Sequence, residues 1–316
     1  MIAHNTTRGP LMLEGHRILV TGATGQVARP IAETLNESNE VFAAARFSDP
    51  QAKQELQALG IQTAYFSMGE EDLSALPDVE YVIHCGCNTN PKTPEDGLRQ
   101  NAEGTGFLMQ RYRDAKAFLH MSSSSVYRVE ASSSDPISES HALGGYSSYS
   151  PHYAMSKLAA EGLVRFQARQ LDLPTIITRL DVAYGSRGHG GVPMVIYEFM
   201  KNGIPYQRAE SGESYCTPIH EDDIVRQVLR LIEKAAVPAP VVNLGGDEVA
   251  SVEEMIRYVE SLTGLTMAIQ VGEAASWGMK VLDNTLRKKL GGACEVTWKQ
   301  GMRSALHKRH PDAILA

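Results

Sequence analysis

Apolar positions along the chain follow two rhythms that take turns. Short runs rich in β-branched residues, such as "HRILVTG" (16–22), "EVFAAAR" (40–46), "IQTAYFS" (61–67), "EYVIHCG" (80–86), "AFLHMSS" (117–123) and "PTIITRL" (174–180), read as buried strands. Between them, residues 26–37, 49–60, 94–115 and the stretch around Tyr153 carry apolar residues at helical spacing. Strands alternating with helices predict an α/β fold, a doubly wound parallel sheet with helices on both faces.

Beyond residue 185 the rhythm loosens. A short helix is predicted within "GGVPMVIYEFMKNGIP", a long one in "EDDIVRQVLRLIEKA", a brief strand in "VVNLGG", and a helix opened by a capping box of Ser251 and Glu254. Residues 15–185 are therefore expected to form the sheet domain. Residues 186–316 are expected to be mainly a small substrate-binding lobe, with some segments returning to the sheet. Residues 1–14 have no signal-type apolar core and read as a flexible leader. The serine-rich stretch 131–140 reads as a surface loop, and Trp277 and Trp298 as packing residues.

The chain has 316 residues, 43% of them hydrophobic and 21% charged, with net charge −7, so a phosphate-backbone partner is not expected. No apolar run is long enough to span a bilayer. The four cysteines, Cys85, Cys87, Cys216 and Cys294, form no CxxC pair, and Cys85 and Cys87 have only His84 beside them. They read as buried thiols of a reduced, cytoplasmic protein with no metal site.

The stretch "VTGATGQVA" (20–28) lies where the first strand meets the first helix. Gly22 and Gly25 suit a tight turn and a close backbone approach to a pyrophosphate, and the helix start offers free N–H groups. The cradle is expected to comprise Gly22, Thr24, Gly25, Gln26 and Val27. The second strand ends in Arg46 with Ser48 close behind, and no acid stands there to bond ribose hydroxyls. A guanidinium suits a 2′-phosphate, which favours NADP over NAD.

Tyr153 and Lys157 are four residues apart and share a helix face. Beside a nicotinamide ring, the ammonium would lower the tyrosine pKa from its usual value of about 10 and make it an acid/base. The fifth strand ends in "MSSSSVY", at the strand end where ligands gather in such sheets. Strand alternation would set Ser123 and Ser125 on one side and Ser122 and Ser124 on the other. Ser123 is the first choice for binding the substrate oxygen and Ser124 the second. Ser124, Ser125 and His189, the last in the loop "GSRGHGGVP", are candidate substrate contacts.

These pieces, with "YVIHCGCN", "NAEGTGFLM", "TRLDVAYG" and "IHEDDIV", run in order across about 16–250 and resemble the extended short-chain dehydrogenase/reductase superfamily, in its NAD-dependent epimerase/dehydratase branch. The resemblance implies a Rossmann domain, a Ser123–Tyr153–Lys157 site, Asn101 as the "NxxGT" asparagine, and Cys85, Gly86 and Cys87 along the cofactor's ribose. It implies a homodimer paired through helices. The chain departs from the family pattern in having Ala28 at the third glycine. It also lacks a diphosphate-clamping arginine between Gly212 and His220, for which Arg208 and Arg287 are possible substitutes. The family's dehydratases carry an Asp-Glu pair where this chain has Ser124 and Ser125.

The expected function is NAD(P)-dependent hydride transfer at a carbinol or carbonyl of a sugar-like or other small hydroxylated substrate, as epimerase or dehydrogenase/reductase. The alternatives are an NADPH-dependent carbonyl reductase of a non-sugar substrate and, in another class, a non-catalytic NADP-binding sensor. "IHEDDIV" is expected to anchor the helix that follows it.

Overall fold

A computed structural model describes residues 13–128, 134–144, 150–272 and 279–315. Trp277, residues 1–12 of the expected leader and residues 131–133 of the serine-rich loop lie outside the described residues.

The first half of the chain runs β1 (Arg17–Thr21), α1 (Ala28–Leu35), β2 (Glu40–Ala45), α2 (Pro50–Ala58), β3 (Gln62–Tyr65), β4 (Tyr81–His84), α3 (Pro94–Gly97), α4 (Gly104–Arg111), β5 (Ala117–Ser123) and α5 (Pro151–Gln170). β6 (Thr175–Leu180), β7 (Ala183–Tyr184), α6 (Val192–Lys201), β8 (Tyr206–Ala209), β9 (Tyr215–Cys216), β10 (Ile219–His220) and α7 (Glu221–Leu231) follow. The last elements are β11 (Val241–Leu244), β12 (Ala250–Ser251), α8 (Val252–Thr263), β13 (Ile269–Gly272), α9 (Thr285–Gly291) and α10 (Trp298–Arg309).

Among the described residues, seven strands form one parallel sheet in the order β11-β6-β5-β4-β1-β2-β3. Its central strands are buried on both faces, which is why they read as unbroken apolar runs. Ile31, Leu35, Ile224 and Val228 of α1 and α7 pack in a cluster with one face, and Leu108, Met109, Val164 and Ala168 of α4 and α5 with the other. A separate cluster gathers Met194, Met200, Val259, Trp298 and Met302 from α6, α8 and α10. The capping box forms: Glu254 N donates to Ser251 Oγ at 3.1 Å and Ser251 N to Glu254 Oε2 at 2.8 Å. No helix among the described residues is long and apolar enough to cross a membrane.

Three local expectations are corrected. The helix expected over 94–115 is divided, because a π-helical turn at Leu98–Glu103 separates α3 from α4 and buries Asn101 and Ala102. An extra residue in the turn rotates the face that meets the interior. The strand expected over 80–86 ends at His84, so Cys85 and Cys87 lie in the loop beyond it, both half-buried. β5 likewise ends at Ser123, and Ser124–Val126 forms a 3₁₀ turn, so the expected pairing of serines by side does not apply past Ser123.

One buried ion pair ties the sheet to α5. Arg179 donates to both oxygens of Glu161, at 2.9 and 2.7 Å, and both side chains are 2% exposed. Ser122 Oγ donates to Glu161 at 2.6 Å, and the guanidinium lies 4.7 Å from the Tyr127 ring centroid. Removing one member strands the other charge in the interior. Glu161→Ala should lower the unfolding free energy by about 3–5 kcal/mol, read from the shift of a urea midpoint.

Candidate active site

The strand order reverses between β1 and β4, and the glycine turn lies at the end of β1. Crevices at such a reversal are where open α/β sheets bind ligands. Gly22 has φ +72°, and a Cβ built on it would lie 3.0 Å from the Gly86 backbone. The two chains therefore come as close as glycine permits. Gly22 N donates to Ala44 O and Gly25 N to Gly22 O, each at 2.8 Å, and Thr24 and Gly25 are exposed. Val27 precedes the first residue of α1. The Gln26 side chain is buried and donates to Ala183 O at 2.9 Å, so its amide holds β7 against the turn.

Thr24, Arg46, Phe47, Ser48, Asp49 and Ala52 line a cavity of about 270 Å³. Arg46 and Ser48 are exposed there, while Asp49 caps α2 by accepting from Gln51 N at 2.9 Å. Lys53 lies nearby, its Nζ 5.8 Å from the Phe47 ring centroid.

On the other side of the crevice, Lys157 is 2% exposed and its Nζ donates to Met121 O at 2.6 Å. That bond sets the ammonium beneath the end of β5. Tyr153, half-buried, lies one turn earlier on α5, and its carbonyl accepts from Ser156 Oγ at 2.8 Å. Ser123 Oγ accepts from Ser125 N at 3.2 Å. Ser124 is buried and donates to Asp181 Oδ1 at 2.9 Å, so its hydroxyl is already engaged. Asp181 also accepts from Thr217 N and Oγ1, each at 2.9 Å, and burial holds its carboxyl above the usual carboxylate range. Asn101 accepts from Asn88 N at 2.7 Å and donates to Ser156 Oγ at 2.9 Å, linking the loop after β4 to α5. In that loop, burial pushes the Cys85 thiol up to about 12, so it stays a neutral lining group.

His189 is exposed, and its Nδ1 accepts from Gly191 N at 3.2 Å. A Cβ on neighbouring Gly188 would lie 2.9 Å from Gln26, so this loop abuts the glycine turn. Two residues that the sequence pattern did not mark hold it there. Glu221 accepts from Ser186 N, Ser186 Oγ and Arg187 N, and Arg309 donates to Ser186 O and Gly188 O. Their separation from the loop along the chain hid them. Arg287, considered as a stand-in diphosphate clamp, is fully buried, paired with Asp247 and bonded to Gly292 O at 2.7 Å. It is a structural residue. Arg208 remains a half-buried cation on β8. In "IHEDDIV", His220 caps α7 and Asp223 accepts from Glu295 N and Val296 N, at 2.8 and 3.0 Å.

A doubly wound sheet with a glycine turn at its reversal point, and a tyrosine–lysine helix across the crevice, defines an enzyme of the extended short-chain dehydrogenase/reductase type. The chain belongs to the NAD dependent epimerase/dehydratase family, whose model matches residues 18–245. It is similar to the UDP-glucose 4-epimerase of Erwinia amylovora, with 26% identity over 326 residues covering 89% of this chain and 92% of that protein. Its fold is similar to that of the UDP-glucose 4-epimerase of Thermotoga maritima solved with UDP-glucose, at TM-score 0.80 and 22% identity over 92% of this chain and 98% of that one. It is also similar in fold to the UDP-glucuronic acid 4-epimerase of Bacillus cereus in complex with NAD, at TM-score 0.77 and 22% identity over 93% and 99% of the two chains.

Beneath the site lie two fully buried imidazoles, His84 and His120, with ring centroids 5.5 Å apart. Burial and the Lys157 charge bring His84 down to about 3 and hold His120 well below the usual imidazole range. Neither ring nitrogen of His120 has a hydrogen-bond partner among the described residues. Both histidines bind protons in the unfolded chain below about pH 6.5 but resist them in the folded one, so stability falls as pH drops below that point, for His84 down to about 3. Each contributes a slope of about 1.4 kcal/mol per pH unit. Urea midpoints measured at neutral and mildly acid pH should show this loss, and His120→Leu should roughly halve it, His84 supplying the remainder.

Proposed function

We propose that the protein catalyses hydride transfer at a carbinol carbon of a nucleoside-diphosphate sugar, with epimerisation as the net reaction. The supporting observation is the arrangement at the crevice: Tyr153 and the buried Lys157 on one helix, Ser123 at the adjoining strand end, and the Gly22–Gly86 approach opposite. The relatives' substrates support the sugar class, and similarity to the Erwinia amylovora epimerase extends over most of both proteins. Serines at positions 124 and 125, where dehydratases of the family carry acids, support epimerisation over loss of water.

The cradle suits a nicotinamide dinucleotide, because any side chain at Gly22 would occupy the space against Gly86. Gly22, Gly25 and the start of α1 would hold the pyrophosphate, and Lys157 the nicotinamide ribose. The bound dinucleotide supplies the hydride acceptor. In this reading Ser123 orients the substrate hydroxyl and Tyr153 Oη takes its proton and later returns it. Lys157, one turn along the same face, favours negative charge on that oxygen. Tyr153→Phe should lower kcat for UDP-sugar epimerisation by about 10²–10⁴-fold with the dinucleotide still bound. Wild-type turnover in that variant would remove Tyr153 from the role.

A finer reading concerns the adenosine end. Arg46 and Ser48 at the 270 Å³ cavity, with Asp49 occupied as a helix cap, favour acceptance of a 2′-phosphate and hence NADP. Arg46→Ala should weaken NADP binding about tenfold and leave NAD binding nearly unchanged, as measured by thermal-shift titration. A wild-type chain stabilised more by NAD than by NADP would overturn this preference. Exposed Phe166 and Met155 on α5, at 58% and 37%, favour pairing of two copies through that helix.

A further inference from the structure

A single imidazole bridges the gap where β1 and β4 part. Gly86 N donates to Thr21 Oγ1 at 3.0 Å, and Thr21 Oγ1 lies 2.7 Å from His84 Nδ1. On the far edge of the ring, His84 Nε2 lies 2.9 Å from Thr105 Oγ1, which donates to Asn101 O at 2.7 Å. Counting protons sets the direction of every bond. Thr105 gives its one hydroxyl proton to Asn101, so His84 Nε2 must donate to it. Burial keeps the His84 ring neutral, so with its proton on Nε2 the Nδ1 atom accepts from the Thr21 hydroxyl, which in turn accepts from Gly86 N. The ring's single proton is therefore on Nε2.

The chain of bonds continues on both sides. Gly86 is the residue against which Gly22 packs. Asn101 Nδ2 donates to Ser156 Oγ at 2.9 Å, and Ser156 Oγ donates to Tyr153 O at 2.8 Å. Thr21, His84, Thr105, Asn101 and Ser156 are each no more than 1% exposed, so water does not compete for these bonds.

We propose that His84 is a positioning residue, a rigid spacer that sets the distance between the dinucleotide turn and the Tyr153–Lys157 helix. The proposal rests on the reading of Tyr153 and Lys157 given under Proposed function. Thr21 carries its influence to the cofactor cradle, and Thr105 carries it through the π turn to α5. Neither link touches a reacting atom. A planar ring with an acceptor on one edge and a donor on the other holds both links at once.

Shorter or longer amides each preserve one link. His84→Asn ends near the Nδ1 position and keeps a partner for Thr21, whereas His84→Gln ends near the Nε2 position and keeps one for Thr105. His84→Gln should weaken dinucleotide binding about five- to tenfold, read from the fluorescence of the reduced cofactor, with kcat at saturating cofactor little changed. His84→Asn should leave that affinity intact and lower kcat about tenfold. Thr21→Val and Thr105→Val, which delete one hydroxyl at constant shape, should reproduce the two effects separately, and the corresponding serines should restore them. Nitrogen-15 NMR of the ligand-free chain should show the Nε2–H tautomer of His84 at neutral pH.

Equal losses of affinity and kcat in both amide variants would overturn the proposal. So would a folded Thr105→Val with unchanged kcat, or an Nδ1–H tautomer. If the wild-type chain turns over no UDP-sugar, the proposed activity fails by itself. The affinity contrast between His84→Gln and His84→Asn and the tautomer then decide the positioning role.

Discussion

Two backbones meet without a side chain between them where β1 and β4 separate, and the surrounding architecture follows from that contact. Gly22 turns with positive φ, and a Cβ there would press on Gly86 at 3.0 Å. An L-residue pays in strain for that conformation, and here it would meet backbone that cannot swing away. The contact brings the glycine turn beside the loop after β4. From that loop, hydrogen bonds lead through Thr21 and His84 to Thr105, and through Asn101 to α5. The glycine turn and α5 are thus joined by one buried network.

Buried polar groups serve the same end elsewhere. Arg179 and Glu161, each 2% exposed, join β6 to α5. By contrast, Arg17 and Glu40, at 44% and 45%, form a surface pair that contributes little. Glu221 and Asp223, neighbours on the first turn of α7, accept backbone N–H groups from segments far away in sequence. Carboxylates so placed hold loops rather than react. They explain how an irregular second half closes over a regular sheet.

The outline of the sheet was legible because parallel strands buried on both faces leave continuous apolar runs, and because glycine at 22 and 25 punctuates the first strand–helix junction. The β5 run was read to its observed ends at Ala117 and Ser123. Strand exits were less legible. Composition does not distinguish His84, still in the ladder, from Cys85, just outside it. The π turn at Leu98–Glu103 was not legible, since its apolar spacing resembles that of a continuous helix; the bonds of Asn101 to Asn88 and Ser156 appear only in the folded chain.

The sequence by itself determined an alternating α/β sheet, a glycine turn suited to a dinucleotide, and a tyrosine and lysine on one helical face. Each is a local pattern that a short window of chain contains whole. Only the tertiary structure decided that Ser124 is committed to Asp181, that Arg287 is sealed against Asp247, and that Gln26 reaches for Ala183. A polar side chain's role depends on which partner burial forces upon it, and those partners lie tens to more than a hundred residues away, beyond the reach of any periodicity.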